Sequence, residues 1–330
     1  MEQVNIIIEQ IGMLVLLTLI GMYAKKKKIL PENASQTISK IIVNITLPIL
    51  TVLSLTKYKF PSSIWTDGLA IIGFAIAIHL LAYSTGVLAL TRLQLTAKKR
   101  NVFLAQLIIG NTVFLAFPLM QSLFGDTGLV YALIYYLVSS TFIWTLGVYL
   151  FNKHHISNKR EIFKSLLNPC TIAFAIGILA IVLDIDSLMS SNPEVKGIYD
   201  YIYLTFSPVG DMTVALSMIF IGLTMANIDF KQLTKILKDK SIWILVGIKL
   251  LIIPFIMMGF LVLLPLEISL IAITVILLES AMPSSTITVA IASEYGADYQ
   301  YALEIAVVTT VAAIISIPVI ILIFNQVILA

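Results

Sequence analysis

Ten apolar runs, each of about twenty residues or more, follow one another along this chain with almost no charge inside them. They cover 4–24, 35–56, 64–91, 101–124, 126–151, 162–184, 208–226, 241–263, 266–293 and 301–327, numbered here as spans 1 to 10. At 1.5 Å per residue, a helix of that length crosses the hydrocarbon of a bilayer. Barrel strands would be shorter and would alternate in polarity, which these runs do not. The fold class expected is an all-α polytopic membrane protein with ten transmembrane helices. Composition agrees, because 59% hydrophobic and 12% charged residues leave too little polar surface to clothe such helices in water. A single cysteine, Cys170, excludes a disulfide framework and a cysteine-based metal site.

The first run reads as a retained span rather than a signal peptide. Glu2 and Glu9 stand at its leading end, and the basic cluster Lys25–Lys28 follows it. Basic residues then alternate sharply. Four Lys or Arg fall in or beside each loop after spans 1, 3, 5 and 7, against two, none, one and none after spans 2, 4, 6 and 8. The positive-inside rule puts the odd loops in the cytoplasm and both termini outside the cell membrane. Lys25–Lys28 would also meet anionic lipid headgroups.

Five is an odd number, so two halves of five spans would enter the membrane from opposite sides and form an inverted repeat. The stretch FGDTGLVYAL (124–133) follows span 4, and YGADYQYAL (295–303) follows span 9. Aligning Gly125 with Gly296 brings Asn111 within one residue of Pro283, both near mid-span. Chance similarity between short turn sequences is the competing reading. The division expected is a first five-helix repeat over 1–155 and a second over 156–330.

Both aligned points look like breaks. Span 4 holds Gly110, Asn111 and Thr112 together, with Pro118 beyond, and span 9 holds Pro283 followed by Ser284, Ser285 and Thr286. Glycine weakens a helix and proline removes a backbone donor. Such breaks survive in lipid only when buried in protein or facing a wet cavity. The N–H groups freed at the half-helix starts then favour an anion. Ordinary kinks packed by Ser and Thr are the alternative, and Pro48, Pro169, Pro254 and Pro318 show that proline alone decides nothing.

With NITLPIL in span 2, GNTVFLAFPLMQSLFG in span 4, FIWTLGVYLF in span 5, GIKLLIIP in span 8 and SAMPSSTITVAIASEYG in span 9, the chain resembles the auxin efflux carrier family over essentially its whole length. That family includes plant PIN-FORMED carriers and bacterial permeases of the malate or malonate type. The resemblance implies two inverted repeats with broken helices 4 and 9 crossing one another. It also implies a scaffold of helices 1, 2, 6 and 7 that pairs protomers into a homodimer, and a transport domain of helices 3–5 and 8–10. Asn111 matches the family's crossover asparagine, a substrate contact, and Thr51 matches a serine after the span 2 proline. Thr112, Pro283, Ser284, Ser285 and Thr145 complete the expected substrate site. Thr145 stands where plant members have tyrosine, and Gly110 replaces a proline, so auxin itself is not the expected cargo.

Ionisable residues inside spans cost free energy and need partners or water. Lys249 in span 8, expected to share in coupling, either serves function or snorkels to the surface. Glu279, four residues before Pro283, is the candidate for proton or cation coupling, with a buried Lys249–Glu279 pair as the structural alternative. His79 reads as a hydrogen-bonded packing histidine, although its titration range also suits a proton switch. His154 and His155 lie in a basic loop without further ligands, so no metal is expected there. The absence of Walker, HExxH and GxSxG motifs argues against an ATP-driven pump and against an enzyme, and no cofactor or nucleic-acid partner is expected.

The expected function is a secondary carrier of a small organic anion, a carboxylate such as malate, working by elevator-like alternating access. An ion-coupled symporter with Na⁺ at Glu279 is one alternative. A membrane sensor that uses the fold without turnover is another.

Overall fold

The computed structural model describes residues 2–57, 63–151, 167–190, 193–226, 236–264 and 267–329. All its regular elements are helices. They are α1 (Glu2–Lys26), α2 (Ala34–Ile41, passing through a π turn at Ile42–Thr46 into Leu47–Lys57), α3 (Ile64–Arg92) and α4 (Ala97–Ile108). Then come α5 (Thr112–Phe151), α6 (Pro169–Val182), α7 (Pro193–Met225), α8 (Lys240–Leu263), α9 (Leu270–Ser280), α10 (Thr286–Glu294) and α11 (Tyr299–Leu329). Among the described residues, α2, α3, α5, α7, α8 and α11 are long and apolar enough to cross a membrane, and α6 and α9 are apolar but shorter. Large apolar side chains such as Leu88, Leu204, Leu263 and Ile315 face outward. Water would penalise that surface, whereas lipid does not.

Helix ends follow local chemistry. Asn168 opens α6 by accepting from the amides of Cys170 and Thr171, with Pro169 in the first position, where a missing N–H costs nothing. Asp239 caps α8 through Ser241 N, and Ser269 caps α9 through Ala272 N. At Gly125 the chain leaves helical geometry with φ 59° and ψ −144°, so α5 bends there, at the boundary expected between spans 4 and 5. The last long helix before the 227–235 segment begins at Pro193, not at 208, and carries Pro208 inside it. The apolar criterion missed that first part because Lys196, Asp200 and four tyrosine or threonine residues dilute it.

Two packing groups emerge. In the first, α1 meets α7 and α2 meets α6 and α7 at very close range. A Cβ on Gly222 would fall 2.0 Å from the Thr18 carbonyl oxygen, and one on Gly177 would fall 2.2 Å from Leu55. Small residues permit this closeness, which is how helices adhere in lipid without a hydrophobic drive. In the second group, α3, α4, α5, α8, α9 and α11 pack on one another. The buried carboxylate of Asp67 binds it together, accepting from Tyr131 Oη, from Ser63 Oγ at 3.0 Å and from Ser269 N at 2.8 Å. This joins α3, α5 and the start of α9.

Candidate functional site: two crossed helix breaks

α4 stops at Ile108, and the chain runs extended through Ile109 before Asn111 opens α5. α9 stops at Ser280, and the chain runs through Met282 and Pro283 before Ser285 opens α10. Each break frees carbonyls on one side and N–H groups on the other, which in a membrane interior must find partners. The two breaks satisfy one another. Gly110 and Ser284 form an antiparallel bridge, with Asn111 N donating to Pro283 O at 2.8 Å and Ser285 N donating to Ile109 O at 3.1 Å. A Cβ on Gly110 would lie 3.3 Å from Met282 Cβ, so glycine lets the strands approach. Proline at 283 contributes only its carbonyl, and that carbonyl is used.

Side chains complete the crossing. Lys249, buried in the π turn of α8, sends Nζ to Leu107 O at 2.6 Å and to Ile109 O at 3.3 Å. A cation at the carbonyl end of α4 complements the helix dipole. It neither snorkels nor pairs with Glu279, whose carboxylate oxygens have no hydrogen-bond partner. Ser284 Oγ donates to Gln106 O at 2.8 Å, and Thr309 Oγ1 accepts from Ser284 N at 3.1 Å. Ser285 Oγ accepts from Ile287 N at the start of α10. Asn111 does the same for α5, its Oδ1 accepting from Phe114 N at 3.3 Å.

That capping bond fixes which way the Asn111 amide points. Its Nδ2 is buried and has no hydrogen-bond partner. Thr286 Oγ1 is buried and unpartnered as well. Thr286 lines a cavity of about 590 Å³ that Asn111 itself does not line. Val113 and Phe114 of α5, Ile287, Val289 and Ala290 of α10, residues of α2 between Ser35 and Asn44, Asn168 and Cys170 of α6, and Phe220 and Thr224 of α7 also bound it. Gln36, Lys40, Ser293, Glu294 and Tyr299 form its exposed rim. The cavity therefore lies between the two packing groups and reaches the starts of both half-helices.

Asn111, Thr112, Pro283, Ser284 and Ser285, singled out in the sequence, come together at the crossing, with Lys249 beneath them. Thr51 is buried on α2 with its hydroxyl unpartnered. Thr145 is exposed, its hydroxyl bonded to Thr141 O at 2.5 Å, and its neighbour Trp144 lines the cavity instead. Glu279 sits in the last turn of α9, buried, with neither carboxylate oxygen hydrogen-bonded. His79 packs between α3 and α5, with Nδ1 2.7 Å from Ala75 O, Nε2 3.2 Å from Ser139 Oγ, and its ring stacked on Phe142. His154 and His155 lie outside the described residues. Gln106 and Thr309 were not singled out in the sequence. A buried amide in the apolar stretch VFLAQLIIG was the available signal for Gln106.

Helices of bilayer length around a buried crossing of broken helices, opening on a cavity, define an integral membrane transport protein. Residues 6–321 match the family model described as membrane transport protein, and the chain belongs to this family, that of the auxin efflux carriers. An uncharacterized transporter of Methanothermobacter thermautotrophicus is 24% identical over 318 residues, covering 94% of this chain and 96% of that one. One of Methanocaldococcus jannaschii is 26% identical over 303 residues, covering 89% and 91%.

Proposed function

We propose that the chain is a secondary carrier moving a small organic anion, a carboxylate of the malate class, by elevator-like alternating access. The unpartnered Nδ2 of Asn111 carries this reading. A buried amide donor left without an acceptor is costly, and a carboxylate oxygen supplies one. The starts of α5 and α10 add partial positive charge on either side, and Lys40 puts a cation at the rim. Ser284 and Ser285 hold the crossing rigid, and Thr112 stands buried next to Asn111.

In this reading the chain makes ten crossings as two inverted repeats, 1–155 and 156–330. α1, α2, α6 and α7 are the scaffold that pairs two protomers, and the second packing group is the moving body. The cavity rim lies where α2 begins, next to Lys25–Lys28, so the cavity faces the cytoplasm, with both termini on the other side of the cell membrane.

A coupled version of this transport is favoured by Glu279. An acid in the last turn of α9 faces the unfavourable end of the helix dipole, and Lys249 is engaged elsewhere. A proton or a cation bound at Glu279 would satisfy it, and would move with the body that carries the crossing. Uptake of labelled malate into liposomes containing the protein tests the whole reading. Saturable uptake, competed by other small carboxylates and stimulated by a proton or sodium gradient, is expected. Uptake no faster than in protein-free liposomes, for malate and for a panel of small carboxylates, would overturn it.

A further inference from the structure

Serine and threonine inside apolar helices ordinarily return their hydroxyl to the carbonyl three or four residues back. In this protein Thr18, Thr56, Thr85, Thr274 and Thr310 do so. Six buried Ser or Thr hydroxyls among the described residues lack any partner, and four of them, Thr46, Thr51, Thr213 and Ser217, sit on α2 and α7. All four are buried.

Their placement is not scattered. α2 and α7 touch where a Cβ on Gly210 would lie 3.1 Å from Leu50 Cα. Thr46 and Thr51 flank Leu50, while Thr213 and Ser217 follow Gly210 by three and seven residues, on the same face of α7. That face continues through Phe220 and Thr224, both of which line the cavity. Phe220 meets Phe114 of α5 with ring centroids 4.3 Å apart. Ser217 and Thr213 therefore lie about 4.5 Å and about 10 Å past Phe220 along the helix, on the side away from Thr224.

We infer that Thr46, Thr213 and Ser217, together with Thr51, form a second polar station for the carboxylate oxygens of the cargo, sealed from the cavity in this conformation by Phe114 against Phe220. The inference rests on the carrier reading above. Hydroxyls without partners can donate to a carboxylate, and no charged side chain is needed to hold an anion that must leave again. Phe114 belongs to the half-helix that opens at Asn111, so displacement of the crossing body removes the seal. The station then opens toward the face opposite the cavity rim.

Single cysteines test this in a Cys170→Ser background, using a membrane-impermeant thiol reagent applied to each face in turn. Thr213→Cys and Ser217→Cys are expected to react at least tenfold faster from the face opposite the rim than Met218→Cys. Met218 is equally buried next door, but is bonded to Thr18 of α1. Thr224→Cys should react from the rim face. In the cysteine-containing background, the pair Thr213→Val and Ser217→Ala should raise the half-saturation concentration for carboxylate uptake about fivefold or more, with no fall in melting temperature. Labelling of Thr213→Cys and Ser217→Cys no faster than that of Met218→Cys would overturn the station. So would unchanged half-saturation in the Val/Ala pair. Accessibility is read without any substrate. A protein that labels as expected yet carries no carboxylate would therefore overturn the choice of cargo and leave the buried polar path standing.

Discussion

Asn111 joins two tasks in one side chain, because its oxygen caps α5 while its nitrogen stays free. Asn111→Asp keeps the capping oxygen and replaces the donor with an acceptor. Carboxylate affinity is expected to fall about tenfold or more, as for a lost bond to a charged group, while the melting temperature changes little. Equilibrium binding and thermal melting on the same preparation check this, and unchanged affinity would place the site elsewhere. Glu279 is the second residue with a chemical role in the proposed transport. Glu279→Gln keeps the shape and removes the titrating charge, so uptake should lose its dependence on a proton or sodium gradient while substrate-for-substrate exchange persists. Gradient-driven uptake at the wild-type rate by a stable variant would remove Glu279 from coupling. Both residues were legible as sequence, since a polar or acidic side chain in a long apolar run needs a reason. The free end of the Asn111 amide was not legible, because it depends on Phe114 N standing within reach.

Among the elements, the crossing depends on partners from several helices. Lys249 reaches across from α8 to the carbonyl end of α4, and those carbonyls have lost their own helical donors. Lys249→Met should destabilise the protein by about 1.5–3 kcal/mol for each charge-assisted bond lost. Because Lys249 and Glu279 share no bond, Lys249→Met combined with Glu279→Gln should cost close to the sum of the two single changes, within about 0.5 kcal/mol. Recovery of stability in the double variant, measured by thermal or denaturant unfolding, would instead reveal an ion pair. Gly110→Val tests the approach of the two breaks. A branched side chain meeting Met282 should force the bridge apart and abolish uptake before it abolishes folding. The positions of both breaks could be read from Gly110–Asn111 and from Pro283. That they pair with each other could not, because the sequence shows which backbone groups are freed and not which distant groups receive them.

For the whole molecule, the proposed orientation rests on charge outside the helices. Sixteen of the twenty-one Lys and Arg residues fall in or beside the loops after spans 1, 3, 5 and 7. A single cysteine at Lys26 should therefore be labelled only from the cytoplasmic face and one at Glu2 only from outside. Impermeant labelling of intact cells separates the two, and reaction at Lys26 from outside would invert the topology. Hydrophobic length and loop charge are local properties, so the sequence alone settled that this chain is helical and membrane-embedded, and it pointed to breaks near Asn111 and Pro283 without deciding them against ordinary kinks. Three features are long-range: the bridge between residues 110 and 284, the engagement of Lys249 with α4 rather than Glu279, and the cavity between the two packing groups. Each turns on which distant segments pack together, a choice fixed by small-residue contacts such as Gly222 on Thr18 and by the need to satisfy every buried backbone group. Only the tertiary structure decided them.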